Sequence, residues 1–134
     1  MPTKNSKICN ESNDEGVPKS KVHIILEIIE YVPDSIVCRT IIKNRNGKIS
    51  AVAFAKGEKF CETTALYDTF VQVIDGEAQI TISGKDADIK LGEGIIIPVN
   101  TVHCFKANHE FKMITTIIKH SETALSSAAK KVTL

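Results

Sequence analysis

The feature that most constrains this chain is a series of short β-type segments running almost unbroken from Ser35 to Lys119. SIVCRTIIK and ISAVAFAK flank Asn-Arg-Asn-Gly, and the Asn46-Gly47 pair supplies the positive-φ residues that a tight hairpin needs. TFVQVI and EAQITIS straddle Asp75-Gly76, a second hairpin signal, and ISG and KDADIKL turn at Gly84. GIIIPV, VHCFKA and EFKMITTII follow, separated by Asn100-Thr101 and Asn108-His109. Segments of about five to eight residues, with turn signals every eight to twelve, predict an all-β sandwich or barrel. No long helical pattern lies between them, which argues against a parallel α/β sheet.

Alternation along each segment assigns faces. Ile80 and Ile82 point one way and Gln79, Thr81 and Ser83 the other. Ala87, Ile89 and Leu91 share a face, and Phe111 and Met113 oppose Lys112. The Ile95-Ile96-Ile97 run has no polar member, so it is expected to be covered on both sides. Upstream, VHIILEIIEYV (22–32) suits either a β-branched strand or a helical turn with Glu27 and Glu30 three apart.

A chain of 134 residues is one domain's worth and long enough to bury a core without staples. Net charge is +1 with the two signs interspersed, and tryptophan is absent. Neither a nucleic-acid surface nor a membrane anchor is indicated. Residues 1–20 are too polar to bury much surface and read as a flexible tail, 21–120 as the barrel, and 121–134 as a short helix or tail. The amino-terminal stretch has no apolar signal core, so a cytoplasmic protein is expected. Cys9, Cys38, Cys61 and Cys104 form no CxxC pair and are expected to be free thiols.

Two glycine-framed stretches carry a resemblance. The first is GEKFCETTALYDTFVQVIDG, from Gly57 to Gly76, and the second is GEGIIIPVNTVH, from Gly92 through Pro98 to His103. Both resemble the paired motifs of the cupin superfamily. The resemblance spans about Ser35 to Lys119 and implies a double-stranded β-helix (jelly-roll) barrel, mostly antiparallel. It also implies a metal held on three histidines and a glutamate. Here the first motif's histidine positions fall on Thr63 and Ala65, its glutamate position falls on Thr69, and only the second motif's histidine survives, as His103. Asn100 stands where the family usually has glycine, a mild change because asparagine tolerates left-handed backbone angles.

A transition-metal site needs three or four imidazole, carboxylate or thiolate donors converging on one point. Two hydroxyls, a methyl and one imidazole are not such a set, so no cofactor is expected. An atypical divalent-metal site is conceivable from His103, Cys61 and Asp68, if Cys61 shares the inward parity of Thr63. Glu62 is then expected to face outward. His103 is a candidate base, but no orienting partner is evident, and its plainer role is a ring hydrogen-bonded to Thr63 or Thr69. Cys61 or Cys104 beside His103 is a weaker nucleophile candidate. His23, His109 and His120 read as solvated.

What remains is a barrel pocket for a neutral or weakly polar small molecule, which the resemblance implies is lined by Thr63, Ala65, Thr69, Val71, His103, Phe105 and Met113, with Tyr67 at the rim. The function expected is metal-free small-molecule binding or a structural or regulatory role. The alternative is a metal-dependent or His103-based enzyme of isomerase or dioxygenase type, and a partner-binding role for the tail is a third. A homodimer is expected, with residues 22–32 lying on a neighbour's sheet edge.

Overall fold

The computed structural model describes residues 15–62 and 65–119. Thr63, Cys9, His120, most of the amino-terminal tail and the carboxy-terminal helix or tail lie outside the described residues. Among the described residues there are nine strands: β1 Ile36–Asn44, β2 Gly47–Phe54, β3 Lys59–Glu62, β4 Thr69–Gly76, β5 Ala78–Ile82, β6 Lys85–Ile89, β7 Gly94–Ile97, β8 His103–Lys106 and β9 Phe111–Ile118. They form a five-stranded sheet in the order β1-β2-β9-β4-β7 and a four-stranded sheet in the order β3-β8-β5-β6. All pairings are antiparallel. The all-β barrel expected from the segment pattern, in the jelly-roll form that the resemblance implied, is therefore the fold observed.

Local chemistry explains the tight turns. Asn44 pairs with Gly47, leaving the two-residue loop Arg45-Asn46, in which the Asn46 amide donates to Asn44 Oδ1 at 2.7 Å; neither Asn46 nor Gly47 takes the positive φ expected of them, since Gly47 is already paired in β2. At the β5–β6 hairpin both Ser83 (φ 49°) and Gly84 (φ 83°) are left-handed, as a type I′ turn requires. Asn100 is left-handed too, at φ 59°. The Asp75-Gly76 signal has a different outcome. β4 lies in the five-stranded sheet and β5 in the four-stranded one, so this turn is a corner between sheets and not a hairpin. Gly76 (φ 75°) supplies the bend, and its missing side chain lets the Glu110 carbonyl approach.

The core lies between the sheets. Val52, Phe54, Val71, Val73, Phe111 and Met113 project from the larger sheet toward Ile80, Ile89 and Phe105 of the smaller one. Phe54 stacks on Phe111 with ring centroids 4.6 Å apart and reaches across to Phe105 at 5.9 Å. Aromatic rings thus bridge the two layers near their centre.

Three face assignments change. Ile97 is buried, but Ile96 is 62% exposed, because β7 is an edge strand with its outer face uncovered among the described residues. On β6 only Ile89 is buried. Ala87 is exposed, and Leu91 lies just past the strand end with its side chain in solvent. Residues 22–32 form neither a strand nor a longer helix; only Ile25–Glu27 makes a 3₁₀ turn.

That segment covers the outer face of its own sheet. Ile28 and Ile29 pack on Ala51 and Ala53, with Tyr31, Val37, Ile41 and Ile114 around them. Polar ties fix it: Arg39 Nη1 donates to the Ile28 carbonyl at 3.0 Å and Lys112 Nζ to the Leu26 carbonyl at 2.7 Å. The Tyr31 hydroxyl donates to Asp75 Oδ2 at 2.6 Å. Among the described residues no helix is long and apolar enough to cross a membrane.

Candidate functional site

The site forms where β3 meets β8. In an antiparallel pair, residues directly opposite each other project to the same face. The register sets Phe60 opposite Phe105, Cys61 opposite Cys104 and Glu62 opposite His103. Phe60, Phe105, Glu62 and His103 therefore turn toward the barrel interior, and the two cysteines turn outward, where they form a disulfide.

This reverses the parity expected for β3. Cys61 does not face inward and is not a free thiol, and Glu62 does not face outward. Cys104 is likewise bonded and points away from His103, as its place after His103 requires. Cys38 is also disulfide-bonded, so no cysteine among the described residues is a free thiol. Neither Cys61 nor Cys104 can act as a thiolate nucleophile or as a metal ligand in this state.

His103 is 4% exposed. Its Nδ1 lies 3.1 Å from the Thr101 carbonyl oxygen and its Nε2 3.3 Å from Glu62 Oε1. The ring meets Phe105 edge-on, with centroids 5.8 Å apart and planes at 82°. A carboxylate therefore supplies the partner that sequence reasoning did not find. Thr69, by contrast, spends its hydroxyl on the Tyr67 carbonyl at 3.3 Å, so it is not the hydrogen-bond partner of His103.

These groups open onto a cavity of about 170 Å³ inside the barrel. Its wall is mainly apolar, with Ile36, Val52, Phe54, Val71, Phe105 and Met113 among its members; Thr69, Thr115, Glu62 and His103 supply the polar contacts. A second hollow of about 460 Å³ shares Glu62, Thr69 and Ile117 with the first and adds Lys48, Ala65, Leu66, Tyr67 and Lys119. Lys119 Nζ sits 5.9 Å from the centre of the Tyr67 ring.

Of the residues singled out by sequence, Thr69, Val71, His103, Phe105 and Met113 line the inner cavity, whereas Ala65 and Tyr67 line the adjoining hollow. Glu62 and Phe60 were missed, although a signal for them exists. Cys-Glu on one segment and His-Cys on another, paired antiparallel so that the cysteines meet, necessarily puts Glu62 opposite His103.

The donor set does not fit a resident metal. Asp68 Oδ1 accepts the Val99 amide at 2.9 Å, and Cys61 is in a disulfide, so the conceivable His103–Cys61–Asp68 set is not assembled. Among the described residues no three His, Cys, Asp or Glu side chains are grouped to hold an ion. One imidazole and one carboxylate fall short of the three or four donors such a site needs. His109 is exposed, and His23 Nε2 lies 2.9 Å from the Pro18 carbonyl oxygen, far from the cavity in the chain's course.

No protein-family model matches the sequence, and no curated protein does either. Solved structures match well. A conserved protein of unknown function from Streptococcus pyogenes superposes with a TM-score of 0.74 at 21% identity, over 81% of this chain and 95% of that one. A cupin superfamily protein from Desulfitobacterium hafniense gives 0.72 at 21% identity, over 79% and 97%. A cupin 2 conserved barrel domain protein from Leptotrichia buccalis gives 0.67 at 30% identity, over 70% of this chain; the chain spans about half of that longer protein, 46%. With two antiparallel sheets closed around a shared core and these structural relatives, the chain is a small cupin-fold domain.

Proposed function

We propose that this cupin-fold domain binds a small molecule inside its barrel without a metal. The observation that carries the reading is the cavity of about 170 Å³, bounded by core side chains and touched by a nearly buried histidine. Pockets of this kind, mainly apolar with a few convergent polar groups, are the usual setting for small ligands. Thr69, Val71, His103, Phe105 and Met113 are the proposed contacts.

A thermal-shift screen with sugars, carboxylates and small aromatic compounds tests it. Binding that disappears in His103→Ala and persists in His109→Ala places the ligand in the barrel. No stabilisation by any class refutes the reading in favour of a structural or regulatory module. Elemental analysis of untagged protein tests the metal-free part: stoichiometric iron, manganese, nickel or zinc overturns it.

A second reading has one specific observation behind it. Glu62 beside His103 is the orienting acid that a histidine base normally shows. An isomerase-like enzyme would then exchange an acidic C–H proton of a bound carbonyl compound with solvent deuterium, and loss of that exchange in Glu62→Gln would support it. For assembly we propose a homodimer using the exposed Phe70–Ile96 pair on the larger sheet, tested by light scattering of the Ile96→Glu variant. The cytoplasmic reading rests on the polar amino-terminal composition. The disulfides pull the other way, because cytosolic thiols are kept reduced. Alkylation of the protein in intact cells, followed by counting of modified cysteines, decides between them.

A further inference from the structure

The contacts of His103 say more about the ligand than the cavity's shape does. Both ring nitrogens face acceptors: a main-chain carbonyl at Nδ1 and a carboxylate oxygen at Nε2. A carbonyl oxygen only accepts, so Nδ1 is the donor there, and this contact aims Nε2 at Glu62. The two partners differ in how firmly they are held. Thr101 O is main chain two residues away, and the imidazole is packed edge-on against Phe105. The Glu62 side chain is 49% exposed, so a change of rotamer can carry its carboxylate into solvent.

The fixed feature is thus the His103 ring, with Nε2 at the boundary of an apolar cavity, and the replaceable feature is a carboxylate. The adjoining hollow, which shares Glu62, Thr69 and Ile117 with the cavity, brings Lys48 and Lys119 to the same side. Cations at a mouth draw anions toward it. As to size, a dry apolar cavity of about 150 Å³ takes up benzene, close to the volume found here.

We propose that the ligand is a small monocarboxylate with an apolar body, its headgroup displacing Glu62 from His103 Nε2 and its body filling the cavity beneath. Glu62 is then a built-in stand-in that holds the site in a paired state until the ligand arrives. This rests on the barrel-binding reading and narrows the neutral or weakly polar ligand expected from sequence to an anionic one.

Benzoate and its neutral isostere benzamide are the probes, followed by the methyl resonance of Met113 in protein labelled at methionine. The chain has two methionines, and Met113 is the one in the cavity wall. Benzoate should move the Met113 signal saturably. Benzamide should bind at least about tenfold more weakly, the gap between a charge-assisted and a neutral hydrogen bond. Glu62→Ala should tighten benzoate severalfold by removing the competitor, and His103→Gln should abolish the preference for benzoate over benzamide.

If benzamide binds as well as benzoate, or Glu62→Ala weakens benzoate, the carboxylate proposal fails while the pocket reading stands. If neither probe moves Met113, and the thermal screen is also empty, both fail. Glu62→Ala keeps the test sound even where His103→Gln does not fold, because the Glu62 side chain is half in solvent.

Discussion

Replacing Cys61 and Cys104 together by serine opens a covalent loop without disturbing the strand register beneath it. The two half-cystines lie 43 residues apart in sequence. In the chain-entropy treatment, a closed loop of that length lowers the entropy of the unfolded state by about 13 cal/mol/K, which is about 4 kcal/mol at 25 °C. Measured values usually fall somewhat below that limit, so a loss of about 2 to 4 kcal/mol is expected. For a domain of this size each kcal/mol shifts Tm by roughly 4 °C, so melting should fall by roughly 8 to 16 °C. The double variant is the right perturbation because Cys38 is also disulfide-bonded and a reductant would open more than one bond. Urea unfolding of the oxidised parent and the variant measures the difference. Among the described residues β3 is an edge strand paired with β8 alone, so amide exchange at Phe60 and Glu62 should also accelerate more than exchange on β5. A stability loss under about 1 kcal/mol, within the range of ordinary substitutions, would refute the argument that this bond staples the barrel's mouth.

Three other outcomes follow from the packing. Phe54→Ala removes a fully buried ring that stacks on Phe111 and touches Phe105, and should cost about 3 to 5 kcal/mol in urea unfolding. Gly76→Ala meets both a left-handed backbone and the Glu110 carbonyl, so it should destabilise by more than Gly84→Ala, which meets only the backbone term of about 1 kcal/mol. Tyr31 has its phenol pushed well above the usual tyrosine range, first by burial and then by the hydrogen bond to Asp75 and that carboxylate's charge. The folded state therefore keeps the proton longer than the unfolded chain does. The resulting stability is whole below the ordinary tyrosine value of about 10 and is lost as pH climbs above it. Tyr31→Phe should cost about 1 kcal/mol at neutral pH and flatten that alkaline decline, read by chemical denaturation across pH.

Much of the site was legible before the fold was known, because motif spacing is a local property. The glycine and proline frame located β4, β7 and β8, strand alternation set Phe111 and Met113 on one face, and the motif resemblance placed Val71 and Phe105 in the pocket wall. The error lay at Cys61 and Glu62. Parity was carried into β3 from Thr63, which lies outside the described residues. The facing of β3 is set by its register on β8, which places Glu62 opposite His103 and Cys61 opposite Cys104. That single inversion hid the carboxylate beside His103 and suggested a sulfur ligand where a disulfide forms.

By itself the sequence determined what near neighbours decide. The turn before Gly47, the left-handed turn at Ser83-Gly84, the alternation of buried and exposed residues and the neutral side chains at Ala65 and Thr69 are all read from residues within a few positions of one another. Only the tertiary structure decided whether Asp75-Gly76 ends in a hairpin or a corner, whether Ile96 is covered, and where residues 22–32 lie. These depend on strands far apart in the chain, such as β2, β4 and β9, settling into one sheet. The reason is physical: short-range torsional preferences fix a turn's shape, but which surface a strand meets is set by burial and hydrogen bonding summed over the whole barrel.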